Sequence, residues 1–469
     1  MAQASDKRSM NSGEQQPINR VLVFSIVAFA LLMTTVDATI VATALHTLQK
    51  ELHTSINWSG WTLTAYSFGF VLMLPVSGKF SERYGNRKIF LISVSTFTLA
   101  SLCCGLANNI YLLIALRVIQ AAGGAGITPS VTGIIVNHFG SARDRAVSLF
   151  GSVFPVGAMI GPIFGGLFVT YMSWREIFFV NVPIGIAVIL LSFKYIPGDA
   201  PIEKKTYLKR DTPGVLLLGA GILAAMFAAS YLGGKNADPF SATFIILLVI
   251  ACIAFAVFFS HIKRIEYPLI SPCFIYGKGF GAVNLINILY GGITQGVIAL
   301  VPFYATNRYG INALNSGTLL VAEGIAAVTL STTATMILRN TGYRLPLYIG
   351  SATLIAGTLL LAIPPLPGIS PFAWLAISTF IIGLGAGTIN PSCRNAGLQL
   401  APEHSSIIAA LRSMCLQSGS IITIAIATAI IAGSDDTGSV QAWVYASLSL
   451  ILIVSLPLIS RIPEHHGAW

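Results

Sequence analysis

Marked as apolar or polar, the chain reads as long hydrophobic runs broken by short polar or Gly/Pro connections. The runs fall at 20–46, 59–79, 88–107, 110–136, 145–171, 175–195, 213–233, 240–260, 280–304, 313–338, 345–364, 371–392, 405–432 and 439–460. An α-helix needs roughly 20 apolar residues to cross a hydrocarbon layer of about 30 Å, and every run is near or above that length. In lipid each backbone N–H and C=O must be satisfied internally, so only helices and closed barrels can span. The runs lack the alternating ten-residue strands of a barrel. The pattern therefore predicts an all-α integral membrane protein with fourteen transmembrane spans.

The pattern is also doubled. Predicted spans 1–6 (20–195) and 9–14 (280–460) have similar lengths, and the connection after the second helix of each half is alike. Gly85 and Arg87 in the first correspond to Gly342 and Arg344 in the second. The expected organisation is a tail at 1–19, a six-helix bundle at 20–195, and a basic linker at 196–279 carrying extra spans 7 and 8. A second six-helix bundle at 280–460 and a tail at 461–469 follow. Two bundles rocking about a midplane site are a physical solution to alternating access.

Composition sharpens this picture. Of 469 residues, 55% are hydrophobic and only 9% charged, against about 25% charged in soluble domains. The excess of 27 Lys+Arg over 17 Asp+Glu gives a net charge of +10, and its placement decides its meaning. Twenty-one basic residues fall in alternate connections and the tails, among them Arg20, Lys79, Arg83, Arg87, Lys88, Arg143, Lys194, Lys263, Arg344, Arg394 and Arg461. The opposite connections hold only Lys50, Arg175, Lys235 and Arg308. Basic residues in short loops stay cytoplasmic, so both termini are expected inside the cell and the charge is topological, with no nucleic-acid partner. Trp58, Trp61, Trp174, Trp374 and Trp443 fall near the opposite span ends, where an interfacial belt is expected. Cys103, Cys104, Cys252, Cys273, Cys393 and Cys415 have neither CxxC spacing nor nearby His, and read as small packing residues. No metal or cofactor site is expected, and without a Gly-Lys-Ser/Thr phosphate loop direct use of ATP is not. The first apolar run is too long for a signal-peptide core and reads as a retained span.

Four strings carry more specific information. Gly78-Lys79-Phe80-Ser81-Glu82-Arg83-Tyr84-Gly85-Asn86-Arg87-Lys88 resembles the Gly-x-x-x-Asp-Arg-x-Gly-x-Arg-Lys loop of the major facilitator superfamily, with Glu82 in place of Asp. Arg117-Val118-Ile119-Gln120-Ala121-Ala122-Gly123 resembles that family's Arg-x-x-Gln-Gly-x-Gly element, with Ala121 replacing a glycine. The third string spaces Gly157, Gly161 and Gly165 four apart on one helix face beside Pro162 and Gly166, which lets another backbone approach closely. Its Gly-x-x-x-Gly-Pro-x-x-Gly-Gly form resembles the motif typical of antiporters in the superfamily. The last, Trp174-Arg175-Glu176-Ile177-Phe178-Phe179-Val180-Asn181-Val182-Pro183-Ile184-Gly185, and the Asp37-Ala38-Thr39 element of span 1, resemble the fourteen-span drug:proton antiporters.

The resemblance implies a major facilitator fold: two six-helix bundles plus two extra central helices. It implies that Glu82 approaches the start of span 13 near His404 as a latch, where a helix dipole favours an anion, with Gly78, Arg83, Gly85 and Arg87 forming the same gating loop. Helix arithmetic puts Arg117 about 10 Å in from one face and Asp37 about 25 Å from the other, so both land in the same half of the bilayer. A charged side chain at the bilayer centre costs about 2.5–3.5 kcal/mol on insertion scales. Burial opposes charge on Asp37 while Arg117 favours it, and that competition makes a proton switch; a permanent structural ion pair is the competing reading. Glu323 lies about 15 Å into span 10, near the depth where such carriers bind substrate. It reads either as a substrate or proton site, recognising cationic drugs, or as the partner of Arg412. Tyr66, Asn284, Gln295 and Tyr304 are further candidates for the cavity wall. The expectation is a proton-coupled efflux carrier for small amphipathic or cationic compounds, acting as a monomer in a prokaryotic inner membrane. Two alternatives stay open: export of one specific metabolite, and a membrane receptor on a carrier fold.

Overall fold

The computed structural model describes residues 19–464 apart from 55, 200–210, 233–237, 239, 312, 433 and 435. The expected tail at 1–19 thus lies almost wholly outside the described residues, as does the most basic part of the linker. Among the described residues every regular element is helical. We number the long helices α1 (Arg20–Ile40), α2 (Ile56–Tyr84), α3 (Asn86–Gly105), α4 (Ile110–His138), α5 (Arg143–Tyr171), α6 (Glu176–Tyr195) and α7 (Thr212–Leu232). The series continues with α8 (Ala242–Arg264), α9 (Phe280–Tyr309), α10 (Ala313–Thr341), α11 (Arg344–Ala362), α12 (Pro371–Leu400), α13 (Ser405–Ala432) and α14 (Thr437–Ser455). Thirteen are long and apolar enough to cross a membrane, and α7, whose described apolar stretch is Thr212–Ala228, pairs with α8.

Local chemistry sets the helix ends. A helix leaves its first N–H groups without intrahelical acceptors, and side chains supply them: Asn19 accepts from the Leu22 amide, Asn109 from Tyr111, Ser241 from Phe244 and Ser370 from Ala373. α1 is shorter than its apolar run. It stops at Ile40, and the chain continues through a tight turn (Val41–Ala44) into the short helix Leu45–Glu51. α12 is longer than its run, extending to Leu400.

A wholly second-half core joins α9, α11, α12 and α14 around Tyr290, Tyr304, Leu354, Leu375 and Tyr445. The first-half core centres on Val27, Phe90, Phe97, Val131 and Phe150, and at its edge takes in Phe280, Leu398 and Ile408 from the second half. The halves therefore meet along a packed seam. Glycines make parts of this packing possible. A Cβ on Gly385 would lie 2.7 Å from both the Gly350 carbonyl oxygen and the Leu354 amide nitrogen, so α12 touches α11 backbone to backbone.

α7 and α8 lie against that seam. Leu218, Ile222, Met226, Phe258 and Ile262 pack on Val71 and Val76 of α2 and on Leu411 and Cys415 of α13. At one end the pair is fastened by Asp211, whose carboxylate sits 2.7 Å from His261 Nε2 and accepts from the amides of Leu269 (2.7 Å) and Gly214 (2.8 Å). Lys79 of α2 donates to the Pro268 carbonyl at 2.6 Å.

The tryptophan belt needs correcting. Trp58 and Trp443 are exposed, but Trp174 is fully buried with Nε1 donating to Glu51 at 2.8 Å. Trp374 is also buried, donating to the carbonyls of Leu360 and Ile363. These two are packing anchors, because an indole with its N–H satisfied by protein has no need of the headgroup layer.

Gly385→Ala should destabilise the detergent-solubilised protein by about 1–3 kcal/mol, as overpacking does. Gly166→Ala, where a Cβ meets nothing within 4 Å, should change stability by less than about 0.5 kcal/mol; thermal melts distinguish them. Burial raises the Asp211 carboxyl, but hydrogen bonds from His261 and the Leu269 and Gly214 amides outweigh it, holding the group below its ordinary value. A depressed carboxylate stabilises the fold above its unfolded pKa of about 3.9 and loses that contribution as pH falls through the folded value. Asp211→Asn should therefore melt below wild type at neutral pH, with the gap closing as pH drops below about 4.

Candidate functional site

Four helices of the first bundle converge on one carboxylate. Asp37 on α1 and Arg117 on α4 are both fully buried, with Oδ2 accepting from Arg117 Nη1 at 2.6 Å. Oδ1 accepts from Gln120 Nε2 (2.9 Å) and from Asn181 Nδ2 of α6 (2.8 Å). Gln120 also donates to Ser101 Oγ of α3 at 2.6 Å and accepts from Arg117 Nη1 at 2.7 Å. The Arg117 guanidinium lies 4.1 Å from the Tyr66 ring centroid, while its Nη2 has no hydrogen-bond partner. A carboxylate can accept several charge-assisted hydrogen bonds at once, and this one is supplied from three directions.

Gln120 and Asn181 stand inside the strings quoted above but carried no assigned role there. The signal was present: amides at fixed distance from an intramembrane ionic residue need a polar partner. Tyr66 departs from expectation. It packs over Arg117 rather than lining an open wall. Tyr304 departs too, being buried in the second bundle with its hydroxyl donating to the Leu361 carbonyl at 2.9 Å.

The glycine string places α5 against α1. A Cβ on Gly157 would collide with Thr35 Oγ1 and one on Gly161 with Thr39 Oγ1, both flanking Asp37. Gly165 is buried, Gly166 faces open space, and the Pro162 ring lies outside the described residues.

Contacts between the halves run along α5 and α10, where Ser152 Oγ donates to Ser331 Oγ at 3.0 Å, and include the helix ends that carry the basic connections. Glu82 Oε2 lies 3.0 Å from His404 Nδ1, in the turn leading into α13, and Ser406 Oγ donates to Asn86 Oδ1 at 2.8 Å. A Cβ on Gly78 would sit 2.9 Å from that of Ala410, so α2 and α13 are in close contact there. Gly85, at φ 96°, turns the chain into α3. Asp199 then caps that helix, accepting from the amides of Asn86 (2.8 Å) and Arg87 (3.1 Å), while Arg87 Nη2 donates to the Phe193 carbonyl. Arg83 lies against the Tyr84 ring at 5.1 Å. The second half repeats the device. Gly342, at φ 70°, precedes α11, Glu464 accepts from the amides of Tyr343 and Arg344, and Arg344 Nε donates to the Ile462 carbonyl.

In the second half, Glu323 is half-buried on α10, its backbone carbonyl against Gly383 of α12. Among the described residues it makes no ion pair with Arg412, which donates instead to Asn390 Oδ1 at 2.8 Å. Arg394 corrects an expectation: counted with the basic connections, it is a buried residue of α12, donating to the Val147 carbonyl of α5 at 2.8 Å. Asn284 lines the same cavity as these two arginines and donates to the Phe274 and Ile275 carbonyls, and Gln295 is exposed on α9.

Two helical bundles joined along a seam, with an ion pair sealed inside one of them, define a polytopic membrane carrier. The Major Facilitator Superfamily model matches residues 27–217 and 214–424, and the chain belongs to that family of membrane transporters rather than to any class of enzyme. Multidrug resistance protein 3 of Bacillus subtilis is 29% identical over 76% of this chain and 69% of its own length. The methylenomycin A resistance protein of Streptomyces coelicolor is 26% identical over 97% and 96%. The solved proton:xylose symporter XylE superposes with a TM-score of 0.64 at 14% identity, covering 95% of this chain and 96% of the symporter, and shares the fold.

Removing one donor to a buried carboxylate leaves an unsatisfied group worth about 1–3 kcal/mol. Asn181→Leu should lower the melting temperature of the purified protein accordingly. Asn181→Asp should lower it further, because it sets a second carboxylate beside Asp37.

Proposed function

We propose that this chain is a proton-coupled efflux carrier that exports small amphipathic or cationic compounds by alternating access, with its basic face in the cytoplasm of a prokaryotic cell. The observation that carries the reading is the sealed ion pair: Asp37 and Arg117, both at 0% exposure and 2.6 Å apart. A buried charge stripped of its partner costs about 3–5 kcal/mol. A proton delivered to Asp37 does the stripping, since a neutral carboxyl holds a guanidinium far less well. That cost is what a gradient can drive against. Gln120 and Asn181 hold the carboxylate in one place through the event, and Thr35 and Thr39, packed against the α5 glycines, transmit a shift of α1 to a helix of the seam.

The latch supports the same cycle. Contacts between Glu82 and His404, Asn86 and Ser406, and Arg394 and Val147 hold the basic ends of the bundles together. Opening toward the cytoplasm requires breaking them, and closing re-forms them. Glu323, half-buried and without an ionic partner among the described residues, is the group we assign to the cationic end of a substrate. Relatives of the chain named for multidrug resistance support drug-like compounds as its substrates.

The test is flux in proteoliposomes with ethidium as the cationic dye, with and without an imposed pH gradient. Wild type should accumulate dye against its gradient only when the pH gradient is present. Asp37→Asn should lose more than about 90% of gradient-driven flux, equivalent to roughly 1.4 kcal/mol or more, while still binding dye. Undiminished gradient-driven flux in that variant would overturn the coupling assignment.

A further inference from the structure

Arg394 and Arg412 line one small cavity where the two halves meet, and neither has an acidic partner among the described residues. Arg394 is 9% exposed and Arg412 7%. Their hydrogen bonds go to neutral acceptors: Arg394 Nη1 to the Val147 carbonyl, Arg412 Nη2 to Asn390 Oδ1. Arg412 Nε is buried and has no hydrogen-bond partner. Glu323 lies too far along the bundle to serve. Its carbonyl packs at Gly383, whereas Asn390 and Arg394 lie seven and eleven residues further along α12, roughly 10 and 16 Å at 1.5 Å per residue.

Burial disfavours the charged form of any group, but an arginine stays protonated at every ordinary pH and cannot shed its charge as a carboxyl or lysine can. Two guanidinium groups held in an interior without a counter-charge therefore call for an anion. The space available says which kind. The cavity is about 20 Å³, and about 10–15 Å³ suffices for a single water. Carboxylate, sulfonate and phosphate groups, each with several heavy atoms, are too large for it. A dehydrated halide, only slightly bigger than a water, is the size that remains. A water would match the volume but, being neutral, would leave both charges uncompensated.

The walls suit such an ion. Thr128 of α4 and Ser413 of α13 also line the cavity, and among the described residues neither hydroxyl donates a hydrogen bond. Phe280 and Ile408 keep other parts of the wall apolar, which chloride, more weakly hydrated than fluoride or hydroxide, tolerates.

We infer that Arg394, Arg412 and the hydroxyls of Thr128 and Ser413 form a binding site for one chloride ion at the seam. Thr128 belongs to the first half and the other three to the second, so the ion adds a tie between the bundles. The site does not depend on the export reading, since a receptor on the same fold would hold the ion equally well.

The test is thermal melting of the purified full-length protein at about 150 mM salt, with sodium gluconate, chloride and bromide compared at equal ionic strength. A ligand that binds only the folded state raises the melting temperature. Chloride and bromide should each raise it above the gluconate value, with a response that saturates. Arg412→Gln removes one of the two unpaired charges, so it should melt no lower than wild type in gluconate and lose the chloride response; Arg412→Lys should keep part of it. Crystals of wild type grown in sodium bromide should show an anomalous scattering peak between the two guanidinium groups, a measurement that needs no variant. Identical melting of wild type in gluconate and chloride would overturn the site. A full chloride response in Arg412→Gln would also overturn it, by placing the halide elsewhere. So would bromide crystals with only a water between the arginines.

Discussion

The arrangement of the first bundle follows from the need to keep one carboxylate and one guanidinium together where neither can be hydrated. Born costs for an isolated ion in a low-dielectric interior run to several kcal/mol even after relaxation, so α1, α3, α4 and α6 are held in a register that brings Asp37, Ser101, Arg117, Gln120 and Asn181 to one point. Glycines on α5 complete the arrangement by letting that helix lie on the Thr35 and Thr39 side of α1. A slip of one residue in any of these helices would leave a charge or amide unpaired. The network is thus a structural lock, and in the proposed cycle it is the place where a proton would act.

At the basic face a different constraint operates. Helices that begin at the membrane surface present unsatisfied amides and a positive dipole end, and here carboxylates arriving from elsewhere in the chain answer them. Asp199, following α6, caps α3, and Glu464, following α14, caps α11. The two caps are equivalent under the internal repeat, each behind a glycine in the left-handed region. Both act within one half, so they stiffen a bundle without tying it to the other. Glu82 differs, because its partner His404 belongs to the opposite half. Ties within a half and the tie across the seam are therefore built from the same chemistry at the same face.

Much of the fold was legible because hydropathy measures what a helix must present to lipid. It is blind to helices shielded by other helices. Arg394 shows the consequence: α12 runs eight residues beyond its apolar stretch, covered by α5 and its neighbours, so a residue that looks like a loop cation is an interior one. Trp174 and Trp374 were misplaced for the same reason, since sequence position at a span end does not distinguish a headgroup from a packed protein surface. Asp37 and Arg117 were readable because a charge inside an apolar run has few explanations. Gln120 and Asn181 were less so, as an amide tolerates many environments. Tyr66 and Tyr304 were assigned by type alone, and their contacts depend on tertiary packing. The caps by Asp199 and Glu464 span more than a hundred residues and leave no local trace.

The extra helix pair is attached asymmetrically, and this decides how it can behave in the proposed cycle. Its polar ties run within the pair's own ends and to α2: Asp211 with His261 and the Leu269 amide, and Lys79 with the Pro268 carbonyl. Its contact with α13 is through Leu411 and Cys415, and among the described residues no hydrogen bond joins the two. Directional hydrogen bonds resist displacement, whereas an apolar face is non-directional and loses little when it slides, provided the area stays covered. In the proposed cycle α7 and α8 would therefore travel with the first half and slip along α13, keeping apolar cover over the seam.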